Sequence, residues 1–187
     1  MEINLSWDLF VIVFFAVIIA YSFIIGRNQT LKIIIASYIA ILTADGIGNL
    51  IERFLLTDGQ SIGPLAAPED GGLVVIKIFI FVFTIVLIAT RGRFTINMDK
   101  HGSSVINIIL NLVYGILSAG LITSTILIYT SGSSLVQESA IMNEAVMAMY
   151  RDSMMVQTMI NNYNIWFSLP AITFVISSFL GQQLEED

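Results

Sequence analysis

"GLVVIKIFIFVFTIVLIAT", residues 72–90, is the stretch on which the fold turns. A helix needs roughly 20 largely apolar residues to cross a bilayer's hydrocarbon. This run has that length, and its only charge is Lys77. A water-exposed helix would alternate apolar and polar faces, and no such face is present. Hydrocarbon suits the run, with one difficulty. An ammonium inside a membrane is expensive, so Lys77 must reach water along its own stem or find a partner in the protein.

Working outward, three further segments have the same character. The first covers about 8–25 and contains "LFVIVFFAVIIAYSFII" (9–25). The second begins near Leu31 and runs to about Ile51 or Leu55, and the fourth covers about 104–129. Nothing from Gly102 to Gln137 carries a formal charge. The 187-residue chain is 56% hydrophobic and 12% charged, against about 25% charged in ordinary soluble domains. A cleaved secretory leader would begin with positive charge and end at a small-residue site. Glu2 and Asp8 precede the first run instead, so it is expected to be a retained span. The predicted fold is all-α: a polytopic membrane bundle of four main spans. Residues 1–130 form the transmembrane domain. Residues 131–187 form an amphipathic or re-entrant helical appendage at the outer face.

The connections set the expected orientation, because basic residues favour the cytoplasmic side. Arg27 and Lys32 follow the first span, and Arg91, Arg93 and Lys100 follow the third. The link after the second span holds Asp58, Glu69 and Asp70 with no base. This alternation places the N-terminus and the acidic loop outside and both basic loops in the cytoplasm.

Polar groups inside the spans are the candidate functional residues. In "ILTADGIGNLIER" (41–53), Asp45, Asn49 and Arg53 recur every fourth residue and share a helical face, with Glu52 beside them. Measured from Lys32, Asp45 lies about 20 Å along its helix, and measured from Arg91, Lys77 lies about 21 Å along its own. Equal depth predicts an Asp45–Lys77 ion pair, with a lone snorkelling Lys77 as the alternative. In the fourth span Asn107, Asn111, Gly115 and Ala119 also recur every fourth residue. Small residues let backbones approach in lipid and amides bond across the contact, so this stripe is read as a packing seam, within one chain or between subunits.

The remaining segment reads as two helices. Residues 135–160 place Met142, Val146, Met149 or Tyr150, and Met154 three or four apart, against Glu138, Asn143, Glu144, Arg151 and Asp152. Such a helix suits the outer interface, a partner, or the chain's own bundle. "IWFSLPAITFVISSFL" (165–180) contains Pro170, which suits a first helical turn. A start near Ser168 leaves about 20 Å of helix, short of a ~30 Å core, so a re-entrant or interfacial helix is expected over a fifth span. Tyr163 and Trp166 are candidate interface anchors.

Several chemistries have no residues to carry them. Cysteine is absent and His101 is the only histidine, so no paired metal pattern exists. There is no GxxxxGK[ST] and no GxSxG. With 8 Lys and Arg and a formal charge of -6, no basic surface for nucleic acid is expected. The residues therefore predict no enzyme and no cofactor.

"FIIGRNQTLKIIIASYIAILTADGIGNLI" (23–51), "INIILNLVYGILSAGLITSTILIY" (106–129) and "IWFSLP" (165–170) together resemble the colicin V production protein (CvpA-like) family. The resemblance implies a four-span bacterial inner-membrane protein linked to colicin production or secretion and envelope homeostasis. Gly26 and Arg27 would match the family's first basic turn and Gly115 its fourth-span glycine. Where the family often carries Asp-Arg before that glycine and Arg after it, this chain has Asn111, Leu112, Ser118 and Ala119. The expected role is a non-enzymatic component that oligomerises or supports another envelope system, with the bilayer and other membrane proteins as partners. The alternative is a small oligomeric channel or transporter lined by Asp45, Asn49 and Glu52.

Overall fold

The computed structural model describes residues 7–57, 72–93, 104–131 and 144–183. These form seven helices: α1 (Trp7–Ile25), α2 (Arg27–Thr57), α3 (Gly72–Arg91), α4 (Ser104–Thr130), α5 (Glu144–Asp152), α6 (Met154–Asn161) and α7 (Tyr163–Gln183). The chain is an all-α bundle. Four helices, α1 to α4, are long and apolar enough to cross a membrane.

A single glycine separates α1 from α2. Gly26 has φ +79°, a conformation side chains other than glycine rarely adopt. Its N–H closes α1 on Ser22 O at 2.9 Å, and its own carbonyl accepts from Thr30 N and Thr30 Oγ1, both at 3.0 Å. The first turn of α2 is thereby capped by the residue that ends α1. The sharp reversal lets helix 2 start at Arg27, so Lys32 lies inside α2 and not in a connecting link.

The uncharged helix α4 forms the axle. Tyr114, Ala119, Leu121 and Tyr129 are buried along it, together with Ser118, Thr123, Ser124 and Thr125. Those threonines are satisfied locally: Thr123 Oγ1 donates to Ala119 O and Thr125 Oγ1 to Leu121 O, each at 2.7 Å. Returning hydroxyls to the helix's own carbonyls lets polar residues sit in a dry interior. On one side, α2 buries Leu31, Ile34, Ala40, Ile41 and Ala44 against Phe81 of α3 and Tyr114, Leu121 and Tyr129 of α4. On the other side α1 packs on α4, where a Cβ at Gly115 would fall 3.2 Å from Ser22 Cβ and 3.5 Å from Ile19 Cα.

The outward faces are apolar. Phe10, Val13, Val17 and Ile24 of α1, Leu42 of α2, and Val75, Phe79, Phe83 and Val86 of α3 are exposed. Phe10 stacks on Phe14 and Phe79 on Phe83, as neighbours four apart on a helix do. An exposed apolar surface running the length of several helices is the pattern expected of a protein solvated by lipid.

The segment expected as one helix over 135–160 is divided at Ser153 within its described part. Ser153 is extended (φ -134°, ψ 117°) and caps α6, accepting from Val156 N through its Oγ. The same hydroxyl donates to Asp8 Oδ1 at 2.5 Å, and Met155 N donates to that carboxylate oxygen at 2.9 Å. An α1 carboxylate thus takes two donors at the start of α6, where negative charge is favoured. Splitting the helix also rearranges the expected methionine stripe. Met154 is exposed, whereas Val156 and Met159 are buried with Val11 and Leu127. Met142 lies outside the described residues.

The last helix also begins earlier than expected. It starts at Tyr163, not near Ser168, so Pro170 is internal and buried. Proline removes the N–H that would reach Trp166 O. Tyr38 on α2 donates its hydroxyl to the adjacent carbonyl, Phe167 O, at 2.5 Å. The early start makes α7 21 residues long, about 30 Å of helix.

A series of contacts fixes how α6 and α7 run. Ser153 meets Asp8, Val156 clusters with Val11 and Leu127, and Met159 follows at Ser124, whose Oγ lies 3.8 Å from Met159 Sδ. Trp166 then lies on Gly120 and against Phe15. The partners advance along α1 and recede along α4, so α6 and α7 run antiparallel to α4 and share its core.

Candidate functional site

The polar site lies where α2, α3 and α4 meet. Asp45 and Asn49 fall on one face of α2 because they are one turn apart. Ala44 and Gly48 beside them are small, which brings α3 close. A Cβ at Gly48 would fall 2.5 Å from Lys77 Cε and 2.8 Å from Lys77 Cγ. The lysine stem therefore lies across the glycine, with its head directed along α2. Lys77 Nζ is 4.0 Å from Asp45 Oδ1 and donates to Asn49 Oδ1 at 3.4 Å.

Neither distance is a tight one, since a charge-assisted N–H···O⁻ bond is ordinarily about 2.7–2.9 Å. The Asp45 side chain is 3% exposed and that of Lys77 12%. Among the described residues neither carboxylate oxygen of Asp45 has a hydrogen-bond donor. The Tyr129 hydroxyl of α4 neighbours the carboxylate, but its own hydrogen bond goes to Ile41 O at 3.2 Å. Asp45 is thus a deeply buried carboxylate faced by the Lys77 ammonium at 4.0 Å and by the Tyr129 hydroxyl.

Other candidate residues take different places. Glu52 and Arg53 are exposed on α2, one turn beyond Asn49, and take no part in the buried cluster. Arg27 opens α2 and Arg91 closes α3, so they sit at the same end of the bundle, followed by exposed Arg93. Lys32, expected as a loop residue, is buried and donates to Gly92 O at 2.7 Å and Ala89 O at 3.4 Å. It caps the carbonyl end of α3, where a cation opposes the helix dipole. Lys100 and His101 lie outside the described residues.

The fourth-span stripe packs inside the chain. Gly115 meets α1, Asn111 and Ala119 are buried, and Asn107 is half-buried with a partner of its own. Asn111 Oδ1 has no hydrogen-bond partner among the described residues. Tyr163 is half-buried at the start of α7. Trp166 sits edge-on to Phe15, with its ring filling the space that Gly120 leaves and its Nε1 without a partner. Gly120, Tyr129 and Ser153 were missed by reading the sequence alone. Only Gly120 carried a signal, as a second glycine in a span already rich in small residues.

Among the described residues no group of three or more His, Cys, Asp and Glu side chains is arranged to hold a metal ion. No protein-family model matches the chain, and comparison with curated proteins and with solved structures found no match.

Proposed function

We propose that this is a non-enzymatic integral membrane protein that supports an envelope or secretion-related system by holding partner helices, with the acidic 57–71 loop outside and the basic connections in the cytoplasm. The observation that carries the membrane role is the apolar exterior of α1 and α3, which surrounds a polar interior built on α4. Arg27, Lys32, Arg91 and Arg93 gather at one end of the helices, which supports a cytoplasmic assignment for that end. The resemblance to the CvpA-like family is the ground for the bacterial inner membrane and the envelope setting. Since the Asn107–Ala119 stripe is packed internally, a second copy or a partner would meet the lipid-facing sides of α1 and α3.

The same reading gives the bundle a fifth crossing. Trp166 is level with Gly120, which is 16 residues from the start of α4. From Trp166 to Gln183 α7 continues for 17 residues in the opposite direction. Its end therefore returns to the level of the basic connections.

A second reading, an oligomeric channel or transporter, is favoured by one observation: the buried Asp45 carboxylate has no closer cation among the described residues than Lys77 at 4.0 Å. Mass measurement in native nanodiscs together with flux in proteoliposomes separates the two. The support role predicts a discrete complex larger than one chain and no ion flux. Reproducible flux that disappears in Asp45→Asn would replace it with transport.

A further inference from the structure

Lys77 occupies a position that a free cation would also suit. Three oxygen-bearing groups meet here with four oxygens between them: the Asp45 carboxylate, Asn49 Oδ1 and the Tyr129 hydroxyl. Oxygen donors of this kind suit hard cations. One buried carboxylate is too little charge for a divalent ion, which ordinarily recruits several carboxylates or keeps much of its water. Glu52, the next acid on α2, is exposed and about two turns beyond Asp45.

The ammonium is weakly held. It stands at 4.0 Å from Asp45 and 3.4 Å from Asn49, and its side chain is the more exposed of the pair. Lys77 is five residues into α3, about 8 Å from the end of the helix. Gly48 leaves the space in which the lysine stem lies. Among the described residues, the charged or titratable groups that face Asp45 are Lys77 from α3 and Tyr129 from α4.

We propose that Asp45 and Asn49 form a binding site for a small monovalent cation of the sodium class, and that the Lys77 ammonium is a tethered competitor that occupies the site until the cation displaces it. Asp45's oxygens, which accept no close hydrogen bond among the described residues, stay available to the exchanging ion. Binding is separate from permeation, so the support role stands or falls on its own test.

The experiment is thermal unfolding of the full chain in nanodiscs, in sodium chloride against choline chloride at equal ionic strength. Sodium is expected to raise the melting temperature of the wild type. In Lys77→Ala, with the competitor removed, the response should reach half its maximum at roughly tenfold less sodium. Asp45→Asn should show no sodium response. If Asp45→Asn does not fold, Asn49→Leu serves instead, and a weakened response is expected. Identical curves in sodium and choline for both the wild type and Lys77→Ala would overturn the proposal. So would a sodium response that persists in Asp45→Asn, or a pH response that is the same in both salts and identifies the ligand as a proton alone.

Discussion

Gly48 works because it has no side chain. Lys77 crosses it closely enough that any Cβ would push the stem away. Gly48→Ala is therefore expected to lower stability by about 1–3 kcal/mol, the usual range for overpacking. Lys77→Ala removes the obstructing atoms, so the double variant should recover part of the loss. Non-additive unfolding free energies in a double-mutant cycle are the check. Lys32 offers a second test at this scale. Its ammonium donates to Gly92 O at 2.7 Å, and Lys32→Met should cost about 1.5–3 kcal/mol, as for other hydrogen bonds to charged groups. Denaturant titration of the purified protein would measure it. Equal depth of Asp45 and Lys77 could be counted from the sequence, because helical rise is fixed and each helix ends in basic residues. Lys32's role could not, since its acceptors are backbone carbonyls on α3 and leave no mark on residue identity. Trp166 was equally opaque: an indole packed on Gly120 and one at the headgroups have the same sequence signature.

The helices that break expectation do so through contacts distant in the chain. Ser153 ends α5 and starts α6 because Asp8, near the start of α1, accepts its hydroxyl and the Met155 amide. A serine between two helical stretches reads as an ordinary helix residue until that acceptor is known. Asp8→Ala is expected to increase hydrogen exchange at the Met155 and Val156 amides while leaving the middle of α4 protected. Uniform exchange through both regions would show that the clasp has no local role. Pro170 misleads in the opposite direction. Read alone it marks a first turn, yet α7 runs through it, with Tyr38 of α2 donating to the neighbouring Phe167 O. By contrast, α1, α3 and α4 were legible to about a residue and α2 to about four at its start, because a span's length and apolarity are properties of its own sequence. Gly120→Leu would put a branched side chain where the Trp166 ring lies. It should detach α7 from α4, read as faster proteolysis after Tyr163 with the α2–α3 pair intact.

At the level of the whole molecule, the bundle turns apolar side chains outward on α1, α3 and part of α2, and keeps the Ser118, Thr123, Ser124 and Thr125 hydroxyls of α4 and the Asp45–Lys77 pair inward. That arrangement is reversed from a soluble protein's and calls for lipid as the surrounding medium. The chain lacks cysteine, so any introduced thiol is unique. In sealed vesicles, Gln182→Cys should be labelled from the same side as Thr95→Cys if α6 and α7 complete a fifth crossing, and labelling from the opposite side would return that segment to the outer face. The most direct test of the membrane account uses the same impermeant maleimide on Gln60→Cys, Thr95→Cys and Phe83→Cys. The account predicts that Gln60→Cys reacts from the outside, Thr95→Cys only when the inner side is opened, and Phe83→Cys from neither. Reaction of all three from one aqueous side would contradict it.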